Sequence, residues 1–206
     1  MREMSRQLGE LHRDPYRNPQ YHRSVYADVH SEIDRKGSEA QLRQVIEPHL
    51  AKHFELTREV TGFNAFHNKK LKVDLMLKPK FDWHFEYIGV EFKRPARLKI
   101  VDYGHWTRQC INYHLTDWGE YGKCIPILMC PGLHFVRYGR SPNFYDNDRD
   151  DYFYELTRVM STFGVGELVP TNRGLEINFC QSHRLWNSWN GLSNDGRKWK
   201  LNRKGH

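Results

Sequence analysis

Two short segments in the first half of the chain alternate strictly between apolar and other residues, and this pattern constrains the fold more than any other feature. In LKVDLML (71–77) every second residue is apolar, and Asp74 occupies one of the intervening positions. In FEYIGVEFK (85–93) the apolar residues again alternate, and Glu91 and Lys93 stand between them. A period of two is typical of a strand whose two faces differ. The sequence therefore predicts two neighbouring strands with acidic residues on one face.

A helix is predicted just before these strands. Ser38 and Gln41 have the spacing of a capping box, and Gly37 breaks the chain immediately ahead of them. Apolar residues then recur at helical spacing from Leu42 to Leu50. Pro48 lies inside this pattern, and we expect it to kink the helix or split it in two.

The remaining elements follow from periodicity and from turn residues. A strand is expected at 56–62, a helix from about Tyr103 to Thr116, and a second helix after the acidic turn 146–151, which Gly164 would end. Further strands are expected at 125–130, 133–138, 165–169 and 175–179. This alternation of helices and strands predicts an α/β fold.

The length of 206 residues suits one domain with tails. We expect an N-terminal arm at 1–30, a folded domain at 31–185 and a basic C-terminal tail at 186–206. The segment GRKWKLNRKGH carries five Lys or Arg residues and no acid, so it could hold a nucleic-acid backbone or contribute only solubility. Trp186 and Trp189 are expected to pack on the domain, whereas Trp199 could also stack on bases.

Charge suggests the class of partner. Lys and Arg outnumber Asp and Glu by 32 to 25, which gives a formal net charge of +7 and suits a polyanion such as DNA, with RNA not excluded. The four cysteines form no CxxC pair, so reduced thiols in or near the core are expected. No apolar run approaches the roughly 20 residues of a membrane span, and the charged N-terminus lacks the apolar centre of a signal peptide. These features predict a cytoplasmic protein.

The acidic residues of the two strands have the composition of a metal centre. Glu91 and Lys93 are two residues apart and project from one face of their strand. If the strands pair antiparallel, Asp74 converges with them. Phosphodiester hydrolysis needs neutralisation of phosphoryl charge and a hydroxide-like nucleophile, and Mg²⁺ or Mn²⁺ on carboxylates supplies both. An isolated Glu–x–Lys is more often a cross-strand ion pair, but an acid amid Leu and Val is costly unless it is paired or metal-bound.

The spacing of Asp74 from Glu-x-Lys at 91–93, within IGVEFKRP, resembles the PD-(D/E)XK nuclease superfamily over residues 38–130. Gln109 and Tyr113, four residues apart on the next helix, resemble the QxxxY motif of its RecB-like branch. Val73 stands where the nominal proline of the family would be. All four cysteines follow Lys93, so the iron–sulfur cluster of some RecB-like nucleases is not expected.

The resemblance implies a restriction-endonuclease-like core, in which helices flank a mixed central sheet in the order α-β-β-β-α-β. It implies a DNA endonuclease that uses Mg²⁺ or Mn²⁺, with the metal held by Asp74, Glu91, the Phe92 carbonyl and Glu39. Glu39 would face the sheet, whereas Glu47 would point away. Lys93 would orient or deprotonate the attacking water, with Gln109 and Tyr113 in support.

Phosphate contacts of the bound nucleic acid are expected from five basic residues: Lys72, Arg94, Arg197, Lys198 and Lys200. Many nucleases of this type act as dimers, so a homodimer remains open, and a small basic protein of this kind would suit a phage or a mobile element. GIY-YIG and HNH nucleases lack their partner motifs here. The main alternative is a nucleic-acid-binding module on the same fold whose site is degenerate.

Overall fold

The computed structural model describes residues 38–93, 100–132, 151–171, 174–180 and 183–198. These residues have an α/β fold with one mixed, open sheet, whose eight strands lie in sequence order. The strands are β1 (Phe54–Asn64), β2 (Lys69–Pro79), β3 (Ile88–Phe92), β4 (Ile127–Cys130), β5 (Val165–Thr171), β6 (Gly174–Phe179), β7 (His183–Asn187) and β8 (Gly191–Leu192). The helices are α1 (Glu39–Leu50), α2 (Ile100–His114), α3 (Asp151–Thr162) and the short α4 (Asn194–Lys198), with a 3-10 turn at Gly119–Tyr121.

The first helix begins where the sequence predicts. The Ser38 hydroxyl accepts a hydrogen bond from the Gln41 amide, and the Gln41 side chain accepts one from the Ser38 amide. Pro48 does not split α1, which continues to Leu50. Because the helix ends two residues later, the missing proline amide removes a hydrogen bond only from the last turn.

The sheet changes from antiparallel to parallel and back along the chain. β1, β2 and β3 pair antiparallel, β4 and β5 continue in parallel, and β6, β7 and β8 are antiparallel again. The helices α2 and α3 lie on the two parallel connections. The order from α1 to β4 is α-β-β-β-α-β, as predicted for this segment, but the sheet has more strands than that pattern contains.

Both faces of the sheet are covered by apolar side chains. On one face Leu42, Ile46 and Leu50 of α1 pack against residues such as Val90 and Phe92 of β3. On the other, Trp106 and Tyr113 of α2 and Met160 of α3 pack against Val73, Met76, Ile127 and Met129. Residues of β3 therefore have helical neighbours on either side, which explains why all five positions of this strand are buried.

The end of the folded domain differs from the prediction. The boundary expected between 185 and 186 falls inside β7, and Trp186 is fully buried, with its ring centroid 5.0 Å from that of Phe54 in β1. The Trp83 indole donates to the Gly196 carbonyl in α4 at 3.1 Å. Residues 186–198 thus belong to the sheet and its last helix, and Trp186 completes the core on the α1 face.

Several predicted segments lie outside the described residues: the arm at 1–30, the strand at 133–138, and Trp199 and the rest of the chain to 206. All four cysteines are described, and none forms a disulfide; Cys110 and Cys130 are buried, whereas Cys124 is exposed. Among the described helices, none has the length and apolar character needed to cross a membrane.

Candidate functional site

The strands β2 and β3 separate where their acidic residues begin. Their ladder pairs Leu77 with Ile88 and ends at Leu75 opposite Val90, so the same register brings Asp74 opposite Glu91. The main-chain amide of Phe92 lies beyond the last residue pair of the β2–β3 ladder, and it donates a hydrogen bond to Asp74 Oδ2 at 2.8 Å. The Asp74 carboxylate therefore replaces a main-chain partner, and its side chain remains 27% exposed.

Glu91 lies at the centre of the cluster and is only 3% exposed. Its Oε1 accepts hydrogen bonds from Lys93 Nζ at 2.5 Å and from Gln109 Nε2 at 2.8 Å. The same Gln109 nitrogen donates to the Tyr113 hydroxyl at 2.7 Å. The four-residue spacing on α2 thus places Gln109 and Tyr113 on one helical face, and Gln109 connects Tyr113 to Glu91 near the end of β3.

Burial and charge shift the ionisation of this cluster. Burial, followed by the charge of Asp74 and a hydrogen bond with it, raises the pKa of Glu91 to about 7, although Lys93 opposes the shift. Desolvation lowers the pKa of Lys93, but the charge and hydrogen bond of Glu91, with the charges of Glu39 and Asp74, raise it above its ordinary value overall. Two carboxyl groups thus share a restricted space with one ammonium group that stays protonated.

The helix α1 contributes three charged residues at four-residue spacing. Glu39 lies exposed in its first turn, near enough to Lys93 for its charge to raise the pKa of that amine. Arg43 Nη1 lies 3.9 Å from Asp74 Oδ1, and Arg43 Nε lies 3.4 Å from Glu47 Oε1. Glu47 is buried and also pairs with Arg58 of β1. The prediction that Glu47 points away is therefore wrong.

Arg43 is the charged neighbour of Asp74 that the sequence reasoning missed. Its position four residues after Glu39 and four before Glu47 is a helical i, i+4 pattern, which marks one face. The spacing alone does not show that this face of α1 lies against β2. A guanidinium group beside an acid offers donors that match phosphate oxygens.

The donor set of this cluster fits one hard cation. Among the described residues no group of three or more His, Cys, Asp or Glu side chains converges as a complete metal cage. Mg²⁺, however, is commonly held by one or two carboxylates, with waters and substrate phosphates completing the octahedron. Asp74 and Glu91 supply two adjacent carboxylates whose mutual repulsion a divalent charge would relieve. At Phe92 the main-chain contact to Asp74 is made by the amide, so ligation by its carbonyl remains a prediction.

The predicted phosphate-contacting residues do not all lie near the acids. Lys72 is exposed two positions before Asp74 on β2, with its Nζ 3.4 Å from Glu59 Oε2. Arg197 and Lys198 lie on α4, beside the loop that precedes β3 and so toward the end of that strand away from Lys93. The structure thus does not bring them to the cluster. Arg94 and Lys200 lie outside the described residues.

Comparison with known proteins found no match among protein-family models, curated proteins or solved structures. The geometry of the acidic cluster is therefore the basis on which a function can be inferred.

Proposed function

We propose that this chain is a metal-dependent nuclease of the PD-(D/E)XK type that hydrolyses phosphodiester bonds in DNA with Mg²⁺ or Mn²⁺. One observation carries the proposal: the Asp74 and Glu91 carboxyl groups are adjacent, and the Lys93 ammonium group contacts one of them. The helix–strand order from α1 to β4 supports a restriction-endonuclease-like core around these residues.

The metal would be held by Asp74 and Glu91, with the Phe92 carbonyl and Glu39 as further candidate ligands. When bound, a divalent cation supplies charge stabilisation at the phosphoryl oxygens and a water of lowered pKa. The protein positions its own groups for this chemistry. Gln109 fixes the Glu91 carboxylate from α2, with Tyr113 as its second partner, and the Phe92 amide fixes Asp74.

Lys93 would act on the attacking water and on the phosphoryl group. Beside the Glu91 carboxylate its pKa lies above the ordinary value, so without a bound cation the amine carries a proton at neutral pH. A protonated amine can orient the attacking water and stabilise the developing phosphoryl charge. A bound divalent cation would lower the pKa of this amine, and Lys93 could then also deprotonate the water.

A second function, nucleic-acid binding without cleavage, combines the formal net charge of +7, which suits a polyanion, with a cluster that has only a structural role. Glu91 already has Lys93 and Gln109 as partners, so the cluster is satisfied as an internal ion pair. Buried polar groups with complete hydrogen bonds also occur for structural reasons.

A plasmid assay separates the two functions. Supercoiled plasmid is incubated with the protein and Mg²⁺ or Mn²⁺, and in parallel with EDTA. Nicked or linear product that requires the metal and is lost in Asp74→Asn supports the nuclease; Asp82→Asn, an exposed acid in the loop after β2, is the matched control. A retarded but intact band under all conditions supports the binder. The same assay with RNA and single-stranded DNA defines the substrate class, and nicked versus linear product bears on whether a dimer cuts both strands.

A further inference from the structure

The tip of the β1–β2 hairpin presents an aromatic ring to solvent. Phe66 is 84% exposed, the highest exposure among the large hydrophobic residues described, and Phe63 nearby is 46% exposed. Isolated exposed apolar residues are common on protein surfaces. An aromatic ring at the end of a long hairpin, however, has no neighbouring core to explain it, and its surroundings decide what it can bind.

Hydrogen bonds fix the backbone on both sides of Phe66. The Asn64 side chain is fully buried, donates to the Asn112 carbonyl at 2.9 Å, and accepts from the His67 amide at 2.9 Å. Phe63 and Asp117 exchange two main-chain hydrogen bonds, at 2.8 and 3.0 Å. An ordered turn therefore presents the exposed ring to solvent. Binding of a partner by this ring would cost little backbone conformational entropy.

Basic residues follow the ring along the hairpin, and one of them, Lys72, pairs with Glu59 of β1. The ten residues 63–72 contain Lys69, Lys70, Lys72 and His67 but no Asp or Glu. Lys70 pairs with Phe63 across the hairpin, and Lys69 and Lys70 are both exposed. A rigid aromatic ring with lysines on the same ribbon matches a ligand that offers flat rings and phosphates together.

The hairpin also extends from the acidic cluster. Asp74 and Lys69 lie on the same strand, and five residues at roughly 3.3 Å each separate them by about 17 Å. A nucleic-acid strand held at Asp74 would have to follow the hairpin for about this distance to reach the tip.

We propose that the tip at 63–72 contacts a single-stranded part of the same substrate, in which Phe66 stacks on an unpaired base and Lys69 and Lys70 hold the flanking phosphates. This inference rests on the proposed function, because it takes the bound polymer to be the one presented to Asp74 and Glu91. It adds a binding element distant from the site of cleavage.

The test measures affinity without cleavage. Fluorescence anisotropy follows binding of a labelled single-stranded DNA in EDTA over a range of salt concentrations. Phe66→Ala should weaken binding roughly 5- to 150-fold, the range for loss of one base stack, with an unchanged salt slope. Lys69→Ala with Lys70→Ala should reduce the slope of log K against log salt by about 1.4, since each phosphate contact on a single strand contributes about 0.7. Phe66→Tyr should bind like wild type.

The matched control is Phe163→Ala, which removes a 47%-exposed ring that follows α3. It should leave affinity unchanged. If wild type binds or cuts DNA and Phe66→Ala does so equally well, the tip proposal fails alone. If Phe66→Ala changes the elution volume of the protein and not its affinity for DNA, the ring serves a second copy of this chain and the proposal fails. A wild-type protein that neither binds nor cuts any nucleic acid overturns both proposals.

Discussion

Gln109 donates a hydrogen bond from Nε2 to Glu91 Oε1 at 2.8 Å, so a helix residue fixes the acid of a neighbouring strand. Gln109→Glu would place a second carboxylate against Glu91, and the repulsion would raise the pKa of Glu91 further. We expect the acid limb of the pH–rate profile to move to higher pH. Gln109→Ala should instead lower kcat with a smaller change in KM. Cleavage rates followed across pH check both expectations, and Arg108→Ala, an exposed neighbour on α2, is the control.

Lys93→Ala should abolish cutting and leave DNA binding largely intact. Removal of one preorganised charge from a site of this kind costs about 10²- to 10³-fold in rate. The plasmid assay measures cleavage, and anisotropy measures binding. Lys78→Ala, which removes an exposed lysine near the other end of β2, should retain most of the cleavage activity. Wild-type cleavage in Lys93→Ala would defeat the assignment of this residue.

The stability of the protein should depend on pH through Glu91. Its pKa is about 7 in the folded chain, above the ordinary value of 4.5, so the native state binds more protons than the unfolded state between these values. The free energy of unfolding should therefore fall as the pH rises from 4.5 to 7, by an amount of order 3 kcal/mol, and then level off. Urea unfolding at pH 5 and pH 8 measures this difference. Glu91→Gln should largely remove it, whereas Glu120→Gln, an exposed acid, should not.

Much of the cluster could be predicted because its geometry is local. Alternation in β2 and β3 fixes which residues share a face, and the helical spacing of Gln109 and Tyr113 fixes theirs. The antiparallel register that brings Asp74 opposite Glu91 follows from the pairing of Leu75 with Val90, which the sequence alone does not specify. These positions therefore agree with the expectation, whereas the roles assigned to them stay predictions.

The rest depends on contacts between distant parts of the chain. β7 reads HRLWN, with charged residues first and no strict alternation, so periodicity gave no strand signal there. Trp186 is buried because its ring packs against that of Phe54 in β1. In the order of strands along the sheet, β1 lies at the end opposite to β7 and β8. Likewise, the packing of α1 on the sheet directs Arg43 and Glu47 toward β1 and β2. Helical spacing alone does not predict this orientation.

A divalent metal should stabilise the protein through Asp74. A ligand that binds only the folded state raises the free energy of unfolding, by about 2.7 kcal/mol at a hundredfold excess over its Kd. Thermal unfolding in Mn²⁺ and in EDTA, at a pH above 7 where Glu91 is ionised, measures this gain. Asp74→Asn should lose the gain, and Asp82→Asn should keep it. An equal shift in all three proteins would mean that the metal binds elsewhere.

Trp186 should matter for stability although it lies beyond the boundary that the sequence indicates. It is fully buried and contacts Phe54, with Phe81 stacked 6.5 Å away between ring centroids. Trp186→Ala should lower the free energy of unfolding by about 3–5 kcal/mol, since truncation of a large buried ring leaves a cavity. Trp189→Ala, at a partly exposed ring in the next turn, should cost clearly less. Urea unfolding of the two variants compares them directly; equal midpoints would show that residues after 185 do not belong to the cooperative core.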